Sequence, residues 1–333
     1  MKNPFTGEEM KLIREHATLP YRKDEFTIVY HAYECEKTKE RFTNDELDLI
    51  NINQVHNLYR EKYGIPFPEE IKNIREKYEV SAKKMSEILG LGSNAYRLYE
   101  SGEIPSVSIG RLIASIKDAE EFRRQIEFSS HLLKESEYSK LMKNVEHLIE
   151  IEHIKWRKSH NEQYAIESID DYSGFKLLDI NKIANVLSFF HSKGLKLFKT
   201  KTNKLLFYAD FLNYKRSGNS MMGITFKAIP FGPVPDEFEK LFQHLYDDGL
   251  IEINQSVNGD NLIEIFTPEI HFNAELFSEN ELAVLNEIAN KFKDKNTTEI
   301  VDISHMEPAW IDNNEAKRYI SYKKYAFDLK AFE

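Results

Sequence analysis

The run IKNIREKYEVSAKKMSEILGLGSNAYRLYESGEIPS, residues 71–106, contains three short helical segments cornered by glycine and serine. Ile71, Ile74 and Tyr78 stripe the first segment. Ser81 offers an N-cap to the second, whose apolar face is Met85, Ile88 and Leu89. Gly90 is expected to end that helix, because a helix stop favours a residue that tolerates the left-handed backbone. Ser93 is the expected cap of the third helix, which carries Asn94, Ala95, Tyr96, Arg97, Leu98 and Tyr99 before Gly102 and Pro105 close it. Two helices joined by a short glycine turn form the geometry that presents the later helix to a DNA major groove. Ser93, Asn94, Tyr96 and Arg97 are therefore candidate base-side contacts, with Ser81, Lys83 and Lys84 placed where phosphates pass. Asn binds adenine and Arg binds guanine in a bidentate manner, each worth about 1–3 kcal/mol of discrimination. From Ile71 to Arg97 there are six Lys or Arg against three Glu, a local +3. A plain helical bundle with a surface Asn and Arg fits the same spacing. The GxGxxA match from Gly90 to Ala95 is not a dinucleotide site, since a helix rather than a strand precedes it.

Outside this window the chain is acidic. Of 333 residues, 41% are hydrophobic and 30% charged, which suits a globular protein of two or three domains. The net charge of −10 argues against a protein coated in nucleic acid, but it allows a local basic face and suits a basic protein partner. No apolar run is long enough to span a membrane, and the N-terminus lacks the apolar core of a secretory signal. A single cysteine, Cys35, excludes an internal disulfide and an all-cysteine metal cage, so the cytoplasm is the expected location.

Periodicity predicts a mainly α chain with small β elements (α+β), in four stretches. In 1–65, Phe26, Ile28, Tyr30 and Ala32 alternate as in a hairpin strand, and a helix is expected from Asp45 to Tyr63. Residues 66–117 hold the helix-turn-helix. Residues 118–174 are connecting helices, with Phe122, Ile126, Leu133, Leu141, Val145 and Leu148 inward, followed by a polar linker over 159–173. Residues 175–333 form a second globular unit with helices near 179–192, 202–214, 235–248 and 279–293. Strands are expected at 223–229 and in the pair 250–256 and 261–267, joined by a turn at Asn258-Gly259-Asp260. Ser278 and Glu281 make a capping box.

Two family resemblances sharpen this reading. SAKKMSEILGLGSNAYRLYESGEIPS resembles the Xre-type helix-turn-helix in its MqsA-like antitoxin version, with an Asn-Ala-aromatic and a Tyr-Glu-x-Gly signature. The resemblance implies that Asn94 reads a base. The family's second base-reading Arg falls four positions later, where this chain has Leu98; Arg97 lies one place earlier, about 100° around the helix. The MqsA-like N-terminal zinc domain has a counterpart in Tyr33–Thr38, but Thr38 replaces the second cysteine and no earlier CxxC exists. A metal-free remnant is expected, with a His16, His31 and Cys35 site as the alternative.

DINKIANVLSFF, TKTNKLLFYADFLNYKRSG and ITFKAIPFGPVPDEFEKLF, within residues 179–242, resemble the SocA-like or Panacea antitoxin domain, as do Ser304-His305 and Ala309-Trp310. In that stretch Leu205, Leu206, Tyr208 and Ala209 face inward, and Phe231-Gly232-Pro233-Val234-Pro235 forms a rigid turn. The resemblance implies direct binding of a protein toxin, for which Lys204, Tyr208, Phe231, Gly232, Pro233 and Val234 are the candidates. Tyr208 fits a core position equally well. No catalytic set converges: there is no His-Glu-x-x-His and no P-loop, and His305 beside Trp310 reads as structural. The expectation is a non-enzymatic, cofactor-free antitoxin, a homodimer on operator DNA that holds a cognate toxin. The alternatives are a regulator whose C-terminal domain senses another protein or a small molecule, and a hydrolase with an appended DNA module.

Overall fold

The computed structural model describes residues 2–158, 169–258 and 261–333. The predicted linker over 159–173 and the turn through Gly259 and Asp260 therefore fall largely or wholly outside the described residues. The chain divides into two compact units, Met1–Gln54 with Tyr164–Glu333, and Val55–Gln163. The fold is mainly α with small antiparallel sheets, as the periodicity predicts.

The first unit opens with a hairpin of β1 (Met10–Tyr21) and β2 (Asp24–Cys35), extended by β3 (Arg41–Phe42). Phe26, Ile28 and Ala32 are buried on one face of β2, the alternation read from sequence. The outer edge of β2 would leave backbone groups unpaired. Helix α1 (Asp45–Tyr63) satisfies them with side-chain amides: Asn51 bonds the N–H and C=O of His31, and Gln54 those of Val29, all at 2.9–3.0 Å.

The second unit takes up the rest of α1 and continues through α2 (Pro68–Lys77), α3 (Ala82–Ile88), α4 (Ala95–Glu100), α5 (Val107–Ser115), α6 (Ala119–Phe128) and α7 (Glu135–Lys158). The predicted inward positions of the connecting helices share one core with the short helices α2–α5. Phe122, Ile126, Leu141 and Val145 are buried there with Ile71, Met85 and Ile113. Tyr78 stacks on Phe122 at 3.9 Å and donates to the Ile116 carbonyl at 2.6 Å. The bundle and its connecting helices are thus one body rather than successive stretches.

The C-terminal part of the first unit comprises α8 (Ile180–Ser192), β4 (Leu197–Phe198), α9 (Lys199–Ser217), β5 (Phe226–Ile229), β6 (Gly232–Pro235), α10 (Phe238–Asp247), β7 (Ile251–Asn258), β8 (Asn261–Pro268), α11 (Glu279–Phe292), α12 (Thr297–His305), α13 (Pro308–Ile311) and α14 (Tyr322–Tyr325). One sheet has the order β4-β8-β7; β5 and β6 form a second, two-stranded ribbon. Ser278 and Glu281 form the expected capping box of α11. The predicted rigid turn is mostly strand: Gly232–Pro235 pairs with Phe226–Ile229, leaving Pro230 and Phe231 as the tip.

Helix α9 is covered on every side, beyond the four positions expected to face inward. Thr202 through Tyr214 are all buried in α9, polar residues included. This is tolerated because each long polar head finds backbone. Lys201 donates to the Phe292 and Lys295 carbonyls, Lys204 to Pro233, and Lys215 to Leu329 and Phe332. Asp210 accepts the backbone N–H groups of Met221, Met222 and Ile224. Burial pushes its carboxyl up to about 6. The N-terminal hairpin is held to this part of the chain by Arg14, which donates to the Phe327 carbonyl at 2.6 Å, and by His31, whose ring meets Phe327 edge-on at 4.7 Å.

Candidate functional site

Two surfaces collect the residues singled out by sequence. The first is the α3–α4 corner. Ser81 caps α3 by accepting the Lys84 N–H at 3.2 Å. Gly90, at φ +65°, closes α3 as expected: the N–H of Leu91 reaches the Ser86 carbonyl at 2.8 Å and that of Gly90 the Glu87 carbonyl at 3.2 Å. Ser93 does not cap α4. Asn94 occupies that position, without a side-chain cap bond, which leaves its amide uncommitted to the helix end.

Asn94 and Arg97 are exposed, as are Ser81, Lys83 and Ser93. Lys84 is half-buried and lies 2.7 Å from Glu87 and 3.0 Å from Glu137, so its charge is shared with two carboxylates. Tyr96 is a correction. Its ring is fully buried and its hydroxyl donates to the Ile71 carbonyl at 2.8 Å, so it supports α4 from within. Burial accordingly raises its phenol, away from ionisation. Ser86, buried under α4, accepts the Tyr96 N–H, and Arg75 pairs with Glu100 at 2.5 Å, fixing α4 on α3 and α2. Leu98, one step beyond Arg97, is 45% exposed on the same short helix. Sequence reasoning noted it only as a departure from a family pattern.

The second surface surrounds the β5–β6 ribbon. Most of the residues nominated there for a partner are covered. Lys204 is fully buried and donates to the Pro233 carbonyl at 2.8 Å, with burial pulling its ammonium down to about 7. Tyr208 is also fully buried, stacks on Phe292 at 5.0 Å and donates to Glu307 at 3.3 Å. Glu307 in turn accepts the N–H groups of Lys330 and Ala331, and burial raises its carboxyl. Lys204 and Tyr208 therefore hold the domain together rather than present themselves to a partner. Gly232, Pro233 and Val234 are buried as well.

Gly232 is required where it stands. Its φ is +97°, and a Cβ there would lie 2.6 Å from both Lys204 Cε and Ser304 Oγ. This close approach seats the ribbon on α9 and α12. Trp310 donates to the Ile229 carbonyl at 2.8 Å and stacks on His305 at 3.9 Å. Burial and the nearby Lys204 lower the His305 imidazole.

What remains outside is apolar. Phe231, at the ribbon tip, is 69% exposed; Met306, next to His305, is 65% exposed; Ile311, next to Trp310, is 52% exposed. Of the six nominated partner residues only Phe231 faces solvent. Met306 and Ile311 were missed, because a lone apolar residue in a short helix reads as core.

The alternative metal site does not assemble. Among the described residues no three His, Cys, Asp or Glu side chains converge on a point, so His16, His31 and Cys35 are not brought together. Cys35 is buried, and hydrogen bonds from Thr38 and the Lys37 backbone lower its thiol to about 7.

Residues 203–311 match the family model of the antitoxin SocA-like, Panacea domain. The match begins within α9, takes in the β5–β6 ribbon and α12, and ends with α13, and it supports the assignment of the C-terminal domain. No curated protein matches the chain. No helix among the described residues is long and apolar enough to cross a membrane.

Proposed function

We propose that the chain is an antitoxin of a toxin–antitoxin pair: its C-terminal domain binds a protein toxin, and its helical bundle binds operator DNA and represses the pair. The observation that carries this reading is the antitoxin-domain match over 203–311. It acts by covering the toxin stoichiometrically, without catalysis. Phe231, Met306 and Ile311 form the apolar centre of the toxin-facing surface, where exposed hydrophobic groups near one ribbon tip offer desolvation on contact.

On the DNA side, Asn94 and Arg97 address base edges, and Ser81, Lys83 and Ser93 address phosphates, with Lys84 modulated by its carboxylates. Exposed Leu98 suits a thymine methyl group. A homodimer places two such helices about one DNA turn apart.

The test separates the two activities. The chain is co-expressed with the product of the neighbouring reading frame, and growth is scored. Phe231→Ser with Met306→Ser is expected to abolish rescue from toxicity while leaving the shift of a duplex from the upstream region unchanged. Asn94→Ala is expected to weaken that duplex by about ten-fold, the low end of a lost bidentate contact, and to leave rescue intact. Toxicity that persists with the wild-type chain sinks the antitoxin reading. Joint loss of both activities in either variant sinks the division of labour.

A further inference from the structure

A pair of exposed lysines lies on α7 beside the α2–α3 corner. Lys140, Lys143 and His147 are exposed on α7 and recur at steps of three and four residues, which places them on one helix face. Leu141 and Val145 bury the adjoining side of α7 in the bundle core. Two contacts hold this face against the corner. Asn144 donates to the Tyr78 carbonyl at 3.2 Å, and Glu137 lies 3.0 Å from Lys84.

Between them runs an open cleft of about 510 Å³, with Ser81 and Lys84 on one wall and Lys140, Lys143 and His147 on the other. Glu79 and Glu137 also line it, but Glu137 is already engaged by Lys84. Lys140 and Lys143 make no ion pair among the described residues. Their charge is held in place by a packed helix and is not spent on a neighbour.

We propose that Lys140 and Lys143 bind the phosphodiester backbone of DNA flanking the bases under α4, so that α7 is a second backbone-contacting element of the module. This rests on the reading of the bundle as DNA-binding. The cleft is continuous with Ser81 and Lys84, so a strand passing those residues runs on between the two walls. Lysine ammonium groups act there as point charges on phosphate oxygens. Such contacts carry no base information and set register and affinity.

The prediction is quantitative, because each phosphate neutralised contributes about 0.9 to the slope of log K against log salt. The full chain is titrated, over a range of KCl, against the duplex upstream of its own reading frame and against a scrambled duplex of equal length. K140Q/K143Q is expected to make the slope shallower by roughly 1.8 on both duplexes, and each single variant by roughly 0.9. K193Q/K196Q removes the same charge from exposed lysines of the other unit and should leave the slope unchanged. An unaltered slope in K140Q/K143Q, with the wild type binding, overturns the role of α7 and leaves the DNA reading standing. An equal loss in K193Q/K196Q overturns it as well, since the effect would then be one of net charge. A wild-type chain that binds neither duplex removes both.

Discussion

Lys204 is an amine buried against a single carbonyl, with an ammonium pulled from 10.5 to about 7 by desolvation. Across that window the unfolded chain holds a proton that the folded chain lacks, so stability rises with pH from about 7 to about 10.5. The slope from this one group is at most about 1.4 kcal/mol per pH unit. Lys204→Met is expected to flatten it, measured as urea midpoints at about pH 7.5 and about pH 9.5. An unchanged slope would mean the amine is not the titrating group. His31 works in a lower window. Burial first, then Arg14, lowers its imidazole from 6.5 to about 4, so stability is lost as pH falls between those values. His31→Gln should shrink the acid loss, seen as a smaller drop in Tm between about pH 6.5 and about pH 4.5. Exposure of Asn94 and Arg97 was legible, because both lie off the apolar stripe of a short helix. The burial of Lys204 and Tyr208 was not, because their partners, the Pro233 carbonyl and Glu307, are remote in sequence.

Elements defined by local chemistry were the readable ones. Ser81, Gly90 and the Ser278–Glu281 box act within five residues, so α3 and α11 start or stop where those side chains say. The β5–β6 ribbon was hidden by its own prolines. Pro233 and Pro235 lack N–H groups and read as a turn, yet both fit a ribbon only two strands wide. Gly232→Ala tests how the ribbon is seated. The left-handed φ and the 2.6 Å approach to Lys204 and Ser304 predict a loss of about 2 kcal/mol or more, measured by denaturant unfolding. A loss below about 0.5 kcal/mol would show that the ribbon shifts freely on α9 and α12. Helix α9 is polar on the sides that the four inward positions leave over, and there backbone carbonyls from three other segments take up its buried lysines.

At the scale of the molecule, one of the two compact units is assembled from both ends of the chain. Nothing local announces this. The bonds that build it, Arg14 to the Phe327 carbonyl and Asn53 to the Ser217 carbonyl, join residues far apart in sequence. A fragment of residues 169–333 is therefore expected to melt at a lower temperature than the same stretch in the full chain, because Phe327 loses His31 and Arg14. Equal melting by circular dichroism would show the hairpin to be dispensable. The same arrangement orders events on the ribosome. The helical bundle has all its core side chains once α7 has left the exit tunnel, whereas the hairpin, translated before it, waits for Phe327, translated after it. A message cut short after α7 thus yields a polypeptide with a finished bundle and an orphaned hairpin. On the function proposed above, such a copy is expected to keep DNA binding and to lose toxin neutralisation.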